Sequence, residues 1–180
     1  MGFKISWLAF ENVEKGKLIE ELGFRDTGAV DEANESPFSA AQLKNGWSII
    51  WANDFEWAET QPIKLSFPAG RAISCQLHEG VMVSIAHGAQ DGVEQWSVTH
   101  DAQAGLHDLT VEGIAPPALI EIKNRLFAEQ QLEDGDKAEV DFIFDIPIDL
   151  AERITGFRHD LWEVDGERLT WTTIEKKQAA

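Results

Sequence analysis

The chain has 180 residues, of which 43% are hydrophobic, and this length and composition suit one ordinary domain with a single continuous core. Its formal net charge is −17, from 32 acidic and 15 basic residues, which disfavours direct binding to nucleic acid and to anionic membranes. A single cysteine, Cys75, leaves no intrachain disulfide or thiolate metal cluster, so we expect a reducing, cytoplasmic location.

The first quarter of the chain is predicted to contain two strands, a helix and a long loop. Phe3 to Phe10 is rich in aromatic and β-branched residues, which favours a strand, and Val13 to Leu22 has apolar residues at helical spacing. From Arg25 to Gln42 neither period is sustained, which predicts a loop of possible functional importance, shortened at most by a helix at Ser39 to Leu43. Gly46 to Ala52 is predicted to be a strand buried on both faces.

A β-meander is predicted between residues 72 and 100, with strands at Ala72 to Leu77, Val81 to His87 and Val93 to His100. Burial favours a three-residue first turn, because this turn places the apolar residues of all three strands on one face of the sheet. The predicted neighbours are Leu77 with Val81, Cys75 with Val83, Ile73 with Ile85, Ile85 with Trp96, Val83 with Val98, and Val81 with His100.

Further along the chain, a short strand at Leu109 to Val111 is predicted to precede a strong helix from Pro116 to Gln131. Residues 140–146 are predicted to be a strand or extended segment. A second helix covers Ile148 to Thr155 and is closed by Gly156, and a hairpin of Leu161 to Val164 and Arg168 to Thr173 turns at Asp165-Gly166. Residues 1–175 are thus predicted to form one α+β domain, a mainly antiparallel twisted sheet with the meander at its centre and two or three helices packed on it. Residues 176–180 are predicted to be a loose tail.

One constellation of histidines and carboxylates follows from the predicted register. It places His78 and Glu79 at the hairpin tip and His100 and Asp101 at the same sheet edge. Such a group can hold Zn²⁺ or Mn²⁺, or supply an acid and a base near neutral pH. The alternative interpretation is that polar residues simply collect at turns and strand ends.

Two other groups have simpler structural interpretations. Asp141, Asp145 and Asp149 do not define one face, so we expect Asp145 or Asp149 to favour a helix N-terminus rather than to bind a cation. Arg158 is expected to pair with one of the carboxylates, and His159 to cap the end of the preceding helix.

The leading hypothesis is a non-catalytic binding or regulatory protein that contacts a basic protein partner through acidic loops and uses no cofactor. It follows from the charge and from the lack of nucleotide-binding, hydrolase and metal motifs in the sequence. A well-solvated surface is the simpler explanation of dispersed acids. The alternative function is a small metal-dependent hydrolase that uses the histidine group. The candidate binding residues are Asp31, Glu32, Glu35, Trp51, Asp54, Glu56, Trp57 and Glu59.

Four runs of sequence carry a resemblance to a known family. They are residues 31–39 (DEANESPFS), 46–53 (GWSIIWAN), 96–101 (WSVTHD) and 144–160, which runs from FDIP to GFRHD. They resemble segments of a family of uncharacterised bacterial proteins of similar length, over most of the chain. The resemblance implies a bacterial cytoplasmic domain, and it supplies no activity, cofactor or site residue.

Overall fold

The computed structural model describes residues 2–59, 61, 70–133 and 139–177. The fold is α+β, as the sequence predicts, with one large antiparallel sheet and helices packed on it. The helices within the described ranges are α1 Lys15–Glu21, α2 Ala118–Glu133 and α3 Asp145–Thr155. The strands are β1 Lys4–Glu11, β2 Phe24–Val30, β3 Phe38–Gln42, β4 Trp47–Ala52, β5 Arg71–His78, β6 Val83–Gln90, β7 Val93–Asp101, β8 Thr110–Gly113, β9 Glu163–Val164, β10 Glu167–Arg168 and β11 Thr172–Lys176.

The large sheet has nine strands in the order β2-β11-β3-β4-β1-β5-β6-β7-β8. The predicted meander is confirmed, because β5, β6 and β7 are adjacent and antiparallel. It is not the centre of the sheet, however. The central strand is β1, which pairs with β4 on one side and β5 on the other. The β9–β10 hairpin forms a separate two-stranded sheet.

Both faces of the sheet are covered, and the alternation along β1 shows how. Ile5 and Trp7 lie on a first face, under α2 and α3, while Leu8 and Phe10 lie on the second face in a smaller cluster with α1. Cys75 is fully buried on the first face, as predicted, and burial raises the pKa of its thiol to about 12. This thiol is therefore a small apolar group of the core.

The predicted register of β6 is wrong. The turn after β5 has four residues, 79–82, so Leu77 lies opposite Ser84, Cys75 opposite Ala86 and Ile73 opposite Gly88. Val83 and Ile85 therefore lie on the second face, half-buried. The phase predicted for β7 is confirmed, since Trp96, Val98 and His100 do lie on the first face, opposite Gly88, Ala86 and Ser84.

Small residues face the helices because α3 packs directly on β5, β6 and β7. At Gly88 the indole of Trp96 occupies the place of a side chain. A Cβ there would lie 2.2 Å from Trp96 Cε2 and 2.2 Å from Trp96 Nε1. Burying bulk at this point of β6 is therefore incompatible with the position of Trp96.

Gly88→Ala is expected to lower the free energy of unfolding by about 2 kcal/mol, because Trp96 must move within a packed core. Urea unfolding followed by circular dichroism measures the change. The control is Gly16→Ala in α1, where a Cβ meets nothing within 4 Å, and we expect it to stabilise the protein by about 0.5–1 kcal/mol. Equal stability of Gly88→Ala and the wild type would contradict this packing argument.

The long loop predicted from Arg25 to Gln42 is mostly strand. Residues 24–30 and 38–42 form β2 and β3, and the predicted helix at Ser39 to Leu43 is absent, so only residues 31–37 connect the two strands. Both strands lack apolar alternation, because β2 is an edge strand exposed along nearly all its length and β3 buries small residues. Their shared partner, β11, lies more than a hundred residues away in sequence.

The later elements largely follow the prediction. The short strand near Leu109, both helices and the left-handed Gly156 cap are confirmed, and Asp165 and Gly166 form the hairpin turn. Three details differ. Residues 141–144 form no strand, Thr172 joins the large sheet instead of the hairpin, and Lys176 belongs to β11 rather than to a loose tail. Residues 178–180 of the predicted tail lie outside the described residues. None of the helices in the described ranges combines the length and apolarity that crossing a bilayer requires.

Candidate functional site

The candidate site is a cleft of about 380 Å³ at one end of the sheet, which we call the acidic cleft. The β5–β6 turn forms one wall, and the chain on either side of α3 forms the other. Five carboxylates line it together with Arg158 and His159, and its lining among the described residues contains no serine, threonine, cysteine or lysine. The five carboxylates belong to Glu79, Glu139, Asp141, Asp145 and Asp160.

Arg158 is already neutralised by its neighbours. Its Nη2 lies 2.8 Å from Asp145 Oδ1, its Nε lies 2.9 Å from Asp160 Oδ1, and its Nη1 contacts Asp149. Burial raises the pKa of Asp145, and the charge of Arg158 opposes that rise. The expected pairing of Arg158 is thus confirmed, and Asp145 lies in the first turn of α3, as predicted. Because three carboxylates surround the one guanidinium of Arg158, this group of four side chains has a net negative charge.

His159 is the anomaly of the cleft. Its side chain is only 4% exposed, its ring packs edge-on against Phe3 at 4.9 Å, and its Nδ1 has no hydrogen-bond partner. Its Nε2 lies 3.9 Å from Glu79 Oε1, which is too long for a hydrogen bond. Burial lowers the pKa of His159, so the ring is neutral at neutral pH. The expected helix cap is not found, because Gly156 closes α3.

His100 and Asp141 fix the far wall of the cleft to the sheet. His100 is completely buried, with Nε2 2.8 Å from Asp141 Oδ2 and Nδ1 2.7 Å from the Asp108 carbonyl oxygen. Burial alone would lower the pKa of His100, but the hydrogen bonds to Asp141 and Asp108 outweigh it and raise the pKa. Both ring nitrogens face acceptors, so the folded protein favours the doubly protonated ring. Asp141 also accepts a hydrogen bond from the Phe144 amide at 3.1 Å.

The histidine group predicted for metal binding does not assemble. His78 lies on the second face of the sheet and His100 on the first, because the register places them at odd spacing across β6. Asp101 accepts a hydrogen bond from the Gln103 amide, and only Glu79 lines the cleft. Within the described part of the chain, no three histidine, cysteine, aspartate or glutamate side chains are arranged to hold a metal ion.

Three of the predicted binding residues have structural roles instead. Asp31 is 7% exposed, and its carboxylate accepts hydrogen bonds from the Glu35 amide, the Ser36 amide and the Ser39 hydroxyl, which closes the 31–37 loop. Trp51 lies in the core beneath the helices, and the half-buried Trp57 packs against Phe24 and Phe38. Asp31 and Trp51 are therefore buried, whereas Trp57 is partly exposed.

The other five predicted residues, Glu32, Glu35, Asp54, Glu56 and Glu59, are exposed. They belong to two loops, residues 31–37 and 53–59, which the structure brings together. The side-chain amide of Asn53 donates from Nδ2 to the carbonyl oxygens of Asn34 and Ser36, each at 2.7 Å. One acidic surface therefore replaces the two separate loops of the sequence.

This surface and the cleft lie at the same end of the sheet, which we call the acidic end. There β4 ends opposite Ser6, and β5 ends opposite Lys4. In the described segments at this end, the lysine and arginine residues include Lys4 and Arg158 and also Arg25, Lys176 and Lys177, which lie where β2 begins and β11 ends. The acidic residues are Asp31, Glu32, Glu35, Asp54, Glu56, Glu59, Glu79, Asp101, Asp108, Glu139, Asp141, Asp145 and Asp160.

Only part of this site can be predicted from the sequence. Arg158 and its acidic neighbours were foreseen as an ion pair, but the pocket they form with Glu79 depends on contacts over about half the chain length. Comparison with protein-family models, with curated proteins and with solved structures finds no match for this chain.

Proposed function

We propose that the protein is a non-catalytic binding protein, and that its acidic end receives a basic region of a protein partner. The observation that carries this proposal is the gathering of exposed glutamates and the acidic cleft at one end of the sheet, where acidic residues outnumber the lysine and arginine residues. A surface of one sign attracts partners of the other sign and increases their rate of association.

The cleft supports binding better than catalysis. Its lining has no hydroxyl, thiol or amine nucleophile, and its one guanidinium is held by Asp145, Asp149 and Asp160. The buried and unpartnered ring of His159 in the same cleft points to a group that is supplied by a ligand. The metal-dependent hydrolase has no comparable support, since His78 and His100 are on opposite faces.

Changing the four exposed loop glutamates, Glu32, Glu35, Glu56 and Glu59, to glutamine is expected to weaken binding of a basic probe about tenfold at low salt. Exposed charge pairs contribute about 0.3–0.5 kcal/mol each, and four of them together approach the 1.4 kcal/mol that corresponds to a factor of ten. The probe is a fluorescent poly-arginine peptide, and fluorescence anisotropy at about 50 mM salt measures its binding.

The control variant changes Glu14, Glu21, Glu112 and Glu163 to glutamine. These glutamates are also exposed, but they lie away from the acidic end, and both variants have the same net charge. We expect at most a twofold loss for the control, because distant exposed charges are screened. An equal loss in both variants, or no binding by the wild type, would contradict the proposal. A pull-down from cell lysate should likewise retain a basic protein on the control but not on the acidic-end variant.

A further inference from the structure

The imidazole of His159 has an unexplained environment. It is almost fully buried, its Nδ1 has no hydrogen-bond partner, and its Nε2 lies 3.9 Å from Glu79 Oε1, beyond hydrogen-bond distance. Buried polar side chains nearly always have a partner, and exceptions are found at sites that hold a ligand, a water or an ion. The cleft lined by the ring is the place where such a partner can enter.

A carboxylate oxygen of Glu79 faces the His159 ring across a gap in the cleft. Glu79 Oε2 accepts a hydrogen bond from the Phe3 amide at 2.8 Å, which orients the side chain and leaves Oε1 facing His159. The two facing atoms, Glu79 Oε1 and His159 Nε2, are 3.9 Å apart. A donor nitrogen about 2.9 Å from each of them fits between, with an angle of roughly 85° at the nitrogen. The lowered pKa of His159 favours the neutral ring, which accepts a hydrogen bond at Nε2 when its proton is on Nδ1.

The rest of the lining matches the remainder of a basic side chain. Met82, Val140 and Phe144 supply apolar surface, while Asp145 and Asp160 add negative charge. Lysine and arginine side chains combine a methylene stem, which packs on apolar surface, with a cationic head that donates several hydrogen bonds. A small inorganic cation would leave the apolar part of the lining without a contact.

We propose that the acidic cleft takes one lysine or arginine side chain of the partner, with its cationic nitrogen between Glu79 Oε1 and His159 Nε2. The methylene stem lies along Met82, Val140 and Phe144. This inference rests on the proposed function, and it adds a specific contact to the general attraction by the acidic end. Glu79 and His159 are then the residues that select a cation with a hydrogen-bond donor.

The test is a titration of the wild-type protein with the N-acetyl amides of lysine and arginine, followed by NMR of the His159 ring. The matched probes are the amides of norleucine and citrulline, which keep the stem and lose the positive charge. We expect saturable shifts with millimolar affinity for the basic amides, and at least tenfold weaker binding of the neutral ones. A bound cation should also lower the pKa of His159 further, because it disfavours the charged ring.

Two variants test whether the basic amides bind between Glu79 and His159. Glu79→Gln removes the charge, and His159→Phe keeps a ring against Phe3 while removing the acceptor, so each should weaken binding about tenfold. Glu112→Gln has the same net charge as Glu79→Gln and lies on β8, so it should bind like the wild type. Circular dichroism and thermal unfolding establish that each variant folds.

Three outcomes would overturn the inference: no saturable shift, equal shifts from norleucine and lysine amides, or unchanged binding by Glu79→Gln. The proposed function is distinguished by the poly-arginine assay. If the peptide still requires Glu32, Glu35, Glu56 and Glu59 but is indifferent to Glu79, the specific contact is wrong and the general binding surface stands. Loss of the four-glutamate effect would instead remove the proposed function.

Discussion

Asp141→Ala is expected to lower the free energy of unfolding by about 3 kcal/mol near pH 6, since removing one partner of a buried ion pair leaves the other uncompensated. The partner here is His100, which is completely buried and has a second acceptor at its other nitrogen. The substitution also removes the acceptor of the Phe144 amide. Urea unfolding at about pH 6 measures the loss, which is maximal while His100 is protonated in the wild type.

The pH dependence provides the check on this mechanism. The pKa of His100 is raised in the folded protein, so its contribution is fully present below the unfolded pKa of about 6.5 and is lost as the pH rises through the folded pKa. The wild type should therefore lose stability over that window, relative to Asp141→Ala. His87→Ala, which removes a histidine that pairs with Glu94 near the surface, is the control and should leave the window in place. Parallel pH profiles for Asp141→Ala and the wild type would show that His100 is not charged in the fold.

Arg158→Met is expected to cost about 2–3 kcal/mol at neutral pH. The substitution removes the cation shared by Asp145, Asp149 and Asp160 and leaves only Asp149 with a second one, Arg125. The estimate lies below that for a fully buried pair because the Arg158 side chain is 18% exposed and solvent screens the interaction. Methionine keeps much of the stem packing, so the loss reports mainly the charge.

The control for Arg158→Met is Arg125→Met, which removes a cation from the other side of Asp149. The Arg125 side chain is 50% exposed, and we expect a loss under about 1 kcal/mol. Because burial already raises the pKa of Asp145, the uncompensated carboxylates of Arg158→Met should take up protons as the pH falls. Its deficit relative to the wild type should then shrink between about pH 7 and pH 5. A deficit equal to that of Arg125→Met would mean that the network contributes no more than a surface pair.

These two ion-pair systems stabilise the walls of the acidic cleft. Their role therefore differs from that of the groups proposed to contact a ligand. Asp141 ties residues 139–144 to β7 through His100, and Arg158 ties the chain after α3 to the start of that helix. Glu79 and His159 lie between these walls. Variants of the walls should change stability first, whereas variants of Glu79 and His159 should change binding first.

Part of the site could be predicted from the sequence, namely the part that depends on neighbouring residues along the chain. The pairing of Arg158 follows from local abundance of carboxylates, and the position of Asp145 follows from its place near a helix start. The exposure of Glu32, Glu35 and Glu56 follows from their charge. The burial of Asp31 could not be foreseen, because its partners include the Ser39 hydroxyl, which a strand brings under the loop. Likewise, the register error in β6 came from one extra residue in the preceding turn, which reverses the facing of every side chain in that strand.

The amino-acid sequence by itself determined the elements whose signals are local. Periodic apolar residues define α2, capping defines the end of α3, alternation defines β1, β5 and β7, and the Asp165-Gly166 turn defines the hairpin. The tertiary structure alone decided the order of the strands, the register of β6 and the joining of β11 between β2 and β3. It also decided that Glu79 meets His159 across 80 residues. Such contacts depend on packing against distant parts of the chain. A local sequence pattern does not specify which distant segment a strand will contact.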